Sequence, residues 1–266
     1  MSVLGAQRGV VTQPRVVRSE WTELWSLRST WVTLGTAAVI TVGMATAFGF
    51  AHRSAVRSGE EAAGAAQAVD VTFLGLDRLG LVLGVFGVLQ ATGEHGSGLI
   101  RASLTAVPRR CPLLVGKAVV LIAVVTPLGL VVCLVSFVVV QNVLGDDAVA
   151  LTDDGVAPAV LGAAAYPLAA TLLGLGVGTG FRHTAGAITM FAAAFLVIPA
   201  ALSQSVEDAT LKYTPVAAAQ SLYAVTTDGG PIELLGPAAG AVVLAAWVAV
   251  AVALAAGGAV LVRRDA

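Results

Sequence analysis

EHGSGLIRASLTAVPRRCPLLVGK, residues 94–117, is a basic segment set between two long apolar runs. If those runs cross a membrane as helices, this stretch joins them on one face, and its charge decides which face. The rest of the 266-residue chain supports that premise. Apolar residues make up 57%, charged residues only 12%, and mean hydropathy is +0.89, about half the charge of an ordinary soluble domain. A bilayer core roughly 30 Å thick needs about 20 apolar residues per helical crossing. Six runs meet that need, at about 31–51, 71–92, 118–141, 156–181, 184–203 and 237–262. The expected fold is therefore all-α: residues 1–30 form a cytoplasmic tail and an interfacial helix, and residues 31–266 form a domain of six transmembrane helices.

Counting Lys and Arg orients the chain. With the N-terminus inside, the cytoplasmic side receives Arg8, Arg15, Arg18, Arg28, Arg101, Arg109, Arg110, Lys117, Arg182, Arg263 and Arg264. The other side receives only Arg53, Arg57 and Lys212. Positive residues concentrate on cytoplasmic loops, so both termini and the 94–117 connector are expected in the cytoplasm. Arg outnumbers Lys 13 to 2, which looks like coding bias in a GC-rich, actinobacterial kind of genome and carries little functional meaning. The net charge of −1 offers no broad attraction to nucleic acid.

Ahead of the first run, Val17, Trp21, Leu24 and Trp25 fall at i, i+4, i+7 and i+8, one face of a helix, with Arg15, Arg18, Ser19, Thr22 and Ser26 on another. This predicts an amphipathic helix lying on the bilayer, with Trp21 and Trp25 at headgroup level. The alternative is the plain charged flank of a first crossing. Asp77 and Arg78 lie about 24 Å along a helix from Glu94, near the opposite interface, where they are expected to snorkel. The third crossing contains Pro127, an expected kink. Arg182 and His183 divide an apolar stretch too long for one crossing into a hairpin. A polar excursion over 203–236 precedes the last crossing and includes the apolar piece Pro215 to Val225.

The chemistry that the chain lacks is informative. Gradient-driven transporters bury ionisable groups at mid-membrane to bind the coupling ion, and the central portions of the six runs have none. No GxxxxGK[ST] loop is present to hold nucleotide phosphates, so an enzyme is not expected. Ser97 beside His95 lacks the GxSxG surroundings of a nucleophile elbow, and HExxH is absent. Cys111 and Cys133 would lie about 33 Å apart on one helix, too far for a disulfide, and no metal or cofactor ligand set stands out. Gly174, Gly176, Gly178 and Gly180 form two overlapping GxxxG pairs, and Gly80 with Gly84 forms another. Small residues at this spacing let helices approach closely, either within one chain or at a dimer or pathway surface.

Within the connector, Gly96 and Gly98 permit a turn. Residues 98–107 then predict a short helix with Ile100, Leu104 and Val107 on one face, ended by Pro108. Arg101, Arg109 and Arg110 remain for carboxylates or headgroups. The bland alternative is a basic loop.

Glu94, Gly98, Ile100, Arg101, Leu104, Pro108, Arg109, Arg110 and Lys117, between the second and third of six runs, resemble the E-x-x-x-G-T-I-R-x-x-L-x-x-x-P-R-R…K signature of type-2 ABC exporter permeases. Leu99 departs from the usual Thr. The resemblance extends to the N-terminal helix, the span order, a re-entrant excursion before the last span and the Arg-Arg-Asp ending. It implies a permease subunit in a bacterial inner membrane, paired with a second permease chain, identical or not. The path would be driven by separate ABC ATPase subunits that hold ATP and Mg, with no cofactor in this chain. It also implies that the connector is a coupling helix, supported by the N-terminal helix, with the Arg182-His183 turn as a second contact. The competing reading is a membrane scaffold or regulator that carries nothing, and a secondary transporter ranks third.

Overall fold

The computed structural model describes residues 12–60, 64–97, 110–181, 183–205, 210–225 and 234–261. Among them the regular structure is entirely helical, and no strand occurs. The order is α1 (Gln13–Ser26), α2 (Arg28–Ser58), α3 (Ala65–Phe73), α4 (Leu76–Ser97), α5 (Arg110–Leu144), α6 (Val156–Gly180), α7 (Thr184–Ala192), α8 (Ile198–Ser205), α9 (Pro215–Gln220) and α10 (Pro237–Leu261). A π-helical segment, Ala193–Val197, fuses α7 to α8.

Among the described residues five helical spans are long and apolar enough to cross a membrane: Arg28–Ser58, Ala65–Gly93, Pro112–Asp147, Val156–Gly180 and Thr184–Ala201. This makes the chain a multi-pass membrane protein by helix length and hydropathy. The sixth expected crossing corresponds to α10, a 25-residue helix whose described apolar part, Pro237–Ala253, is shorter.

The helices run past the boundaries that composition suggests. Helix α2 has 31 residues, about 46 Å at 1.5 Å each. It carries His52, expected in a polar loop, to a buried position and stops at Gly59, whose φ of 79° suits a residue without Cβ. The second span begins at Ala65 instead of near Val71, with a break at Leu74-Gly75. Helix α5 begins at Arg110, so the last eight residues of the expected connector, 110–117, are helix continuous with the third span. Pro127 sits inside α5 without ending it. The break expected between the fourth and fifth runs falls where a helix boundary lies: α6 ends at Gly180, and His183, exposed, is the N-cap of α7.

Helices α4 and α6 form the centre. Their glycines face each other: a Cβ on Gly174 would overlap the Gly84 carbonyl, and one on Gly178 would lie 2.7 Å from the Ala91 side chain and 2.9 Å from the Val88 carbonyl. Gly176 turns the other way, with the Ala251 side chain of α10 in the same position at 2.5 Å. The ring of Phe191 on α7 occupies the space beside Gly84. Among the alternatives for these glycines, packing within one chain is what the structure contains. Around this centre, large apolar side chains remain exposed, including Val32 and Val39 on α2, Val131 and Val138 on α5, and Val242 and Val252 on α10. An outward apolar face is what a helix needs where lipid is the solvent.

The excursion before α10 folds back into the bundle. Thr214 caps α9 by accepting from the Ala217 amide at 3.3 Å, and Pro215 occupies its first turn. Ala217, Ala218, Ala219 and Ser221 are buried. Gly162 of α6 and Gly240 of α10 lie against its backbone. Trp247 Nε1 of α10 donates to the Tyr213 carbonyl at 2.9 Å.

Gln141, near the end of α5, ties three segments together. Its Nε2 donates to Thr72 Oγ1 (3.3 Å) and the Ala68 carbonyl (3.4 Å) of α3, and its Oε1 accepts from the Val149 amide at 2.9 Å. Gln141→Leu leaves that buried amide without its acceptor. The expected loss is about 1 kcal/mol, read as faster hydrogen exchange over residues 145–151.

Candidate functional site

The end of the molecule that carries the 94–117 connector is assembled around α1. Pro14 starts the helix in its first turn, where a missing N–H costs nothing. Leu27, in extended conformation, separates α1 from α2. Val16, Glu20 and Leu24, at i, i+4 and i+8, are the buried residues, and Val17 and Trp25 pack beside them at the edge of the core. The inward stripe is thus rotated from the expected one. Of the face expected to lie on the bilayer, Leu24 is buried in the protein, Trp25 is half-buried and Trp21 is exposed, and an acidic residue takes the centre of the buried stripe.

That acidic residue explains the rotation. Lys117 Nζ lies 2.7 Å from Glu20 Oε2, with the two side chains 6% and 7% exposed, so this is a buried, charge-assisted contact. Glycine at position 116 brings the helices close: a Cβ there would sit 2.9 Å from Val16 Cγ1 and 3.5 Å from Glu20 Cγ. One turn away, Gln13 Nε2 donates to the Pro112 carbonyl at 2.9 Å. Lys117, expected as the tail of a solvated connector, is therefore a buried anchor in the first turns of α5. At the corner between α1 and α2, Trp25 packs 5.6 Å from Trp21 and 4.4 Å from Trp31, centroid to centroid. Trp21 and Trp31 are exposed, an aromatic cluster of the kind that favours headgroup level.

Of the other expected coupling residues, Glu94 lies in the last turn of α4 and Arg110 opens α5, both as helical backbone. Gly98, Ile100, Arg101, Leu104, Pro108 and Arg109, with the whole expected helix over 98–107, lie outside the described residues, as does Arg182. The structure brings Glu94 and Arg110 to the ends of the two helices that flank the connector. It adds Glu20 and Lys117 to the same region.

At the opposite end, Asp77 does not snorkel. Its Oδ2 accepts from Gln220 Nε2 at 3.0 Å and its Oδ1 from the Tyr223 hydroxyl at 3.3 Å, both donors belonging to the folded-back excursion. Asp70 Oδ1 accepts from the Val225 amide at 2.8 Å. A carboxylate about 24 Å along α4 from Gly93, at the far end of that helix, is half-buried and held by neutral donors. Sequence reasoning missed both Glu20–Lys117 and Asp77–Gln220–Tyr223. The one available signal was Glu20 sharing the i, i+4 register of Val16 and Leu24.

Fold and site together define a polytopic helical membrane protein with a buried ion pair at one end and a hydrogen-bonded carboxylate at the other. No protein-family model matches the chain, and no curated protein matches it.

Proposed function

We propose that the chain is the membrane-spanning permease subunit of an ATP-driven exporter of the type-2 ABC kind, working with a second permease chain and separate ATPase subunits that bind ATP and Mg. The observation that carries this reading is the Glu20–Lys117 pair. It fastens the N-terminal helix to the start of α5, beside the connector whose Glu94, Ile100, Arg101, Leu104 and Pro108 resemble the coupling signature. A force applied to that connector by a docked ATPase would meet a braced lever: α1 and α5 move together because separating them exposes two buried charges. The outward apolar faces supply the lipid contact that a permease needs. In this reading Glu94 and Arg101 engage the ATPase and the His183 turn is a second, smaller contact, in a bacterial inner membrane.

The decisive measurement is purification of the chain from native membranes, followed by reconstitution in vesicles with the ATPase that accompanies it. The expected result is ATP-dependent movement of lipid or drug probes. Glu94→Lys or Arg101→Glu is expected to abolish that movement while leaving expression and extraction unchanged. Native membranes that yield the chain with no ATPase overturn the proposal, and vesicles that move nothing across a broad probe panel favour a scaffold.

A further inference from the structure

We infer that the cavity between Asp77 and Tyr166 is a binding site for an amphipathic organic amine, whose ammonium meets the Asp77 carboxylate and the Tyr166 oxygen and whose apolar body lies on Leu81, Phe195 and Val216. The cavity holds about 240 Å³ and is lined by Asp77, Arg78 and Leu81 of α4, Tyr166 of α6, Phe195 and Leu196 of the π-helical segment, and Val216 of α9.

Three features of its wall converge. Tyr166 is fully buried, and its hydroxyl has no hydrogen-bond partner among the described residues, a cost that a ligand removes. Among the described residues Asp77 accepts from two neutral donors, about half of what a carboxylate can accept. The adjacent Arg78 is exposed and its Nη1 donates to the Leu74 carbonyl at 3.1 Å instead. Arg78 also lines the cavity but turns a guanidinium nitrogen to that carbonyl, so the Asp77 carboxylate disfavours an anion bound against it, and the mainly apolar lining lacks the six or more oxygens that a hard metal cation takes.

The backbone is shaped for this cavity. Asp77, Gly80 and Gly84 lie on one face of α4, at i, i+3 and i+7. Gly80 leaves room for the Tyr166 ring and Gly84 for the Phe191 ring. Phe191 in turn stacks on Phe195, with centroids 4.4 Å apart and planes inclined by 26°. The π-helical segment, which shifts the register of α7 against α8, turns Phe195 inward and leaves Leu196 54% exposed at the rim. Such segments recur at functional sites.

The site needs no ATPase, and its test is independent of transport. The full chain in lipid nanodiscs is titrated with 4-phenylbutylamine, 4-phenylbutanol and 4-phenylbutyrate, which share one apolar body and differ in head group. Saturation-transfer NMR or thermophoresis reads binding. The amine is expected to bind saturably, and the alcohol and carboxylate at least about tenfold more weakly. Asp77→Asn is expected to weaken the amine about tenfold and Tyr166→Phe several-fold. Leu196→Trp, which fills the rim without touching Asp77, is expected to block all binding and serves if the first two variants fail to fold. Absence of saturable amine binding, equal binding of the three heads, or undiminished binding by the folded variants overturns the inference.

Discussion

Glu20→Ala is expected to destabilise the folded chain by about 3–5 kcal/mol, because Lys117 then keeps its buried position and loses the carboxylate 2.7 Å from its ammonium. Lys117→Ala is expected to do the same from the other side. The double variant Glu20→Leu with Lys117→Met replaces both charges by apolar groups of similar volume. It is expected to return to within about 1 kcal/mol of the parent, since the desolvation penalty of two ions disappears with their attraction. Tryptophan fluorescence during unfolding in mixed micelles reads the effect directly, as Trp25 neighbours Leu24 on the same helix. A small effect of Glu20→Ala would mean that α1 does not depend on the pair for docking. In reconstituted vesicles the double variant separates two roles: a folded chain with full transport would show that the pair serves stability alone.

Gly174→Leu is expected to cost about 3 kcal/mol or more, lowering the thermal midpoint and the yield of monodisperse protein. A side chain at that position would overlap the Gly84 carbonyl, which is backbone and cannot move aside unless α4 and α6 separate. Gly180→Ala is the instructive counterpart. It belongs to the same alternating run, yet a Cβ there meets nothing within 4 Å among the described residues. Alanine is therefore expected to be tolerated, with at most a gain of about 1 kcal/mol from helix propensity. Equal damage by both substitutions would overturn this account of the helix pair.

These contrasts show how far a sequence pattern reaches. The GxxxG spacing identified glycines used in packing, and it could not separate Gly176, which faces α10, from Gly174 and Gly178, which face α4, or from Gly180, which meets none of the described residues. Spacing records which residues share a side of their own helix, and says nothing of what lies opposite. The same limit applies to α1. Its amphipathic character was legible as a face carrying Trp21 for the bilayer, while the stripe that packs on the protein is centred on Glu20. Successive positions on a helix differ by about 100°, so a stripe misjudged by one residue puts a different side chain inside. Glu20 looked like a solvated charge because its partner, Lys117, lies 97 residues away.

What the sequence by itself determined is the order of apolar helices, the break between α6 and α7 and the multi-pass class, since each follows from local length and hydropathy measured against a bilayer of fixed thickness. Span boundaries were less well determined. Helices such as α2 and α5 continue past the boundaries that composition suggests, and neighbouring protein buries polar residues there, as at His52 and Lys117. Only the tertiary structure decided the fate of the charges. Asp77 became an internal acceptor because a segment 143 and 146 residues later folds back to offer Gln220 and Tyr223. A buried charge is tolerated only where specific donors converge on it, and such convergence arises when distant segments close on one another.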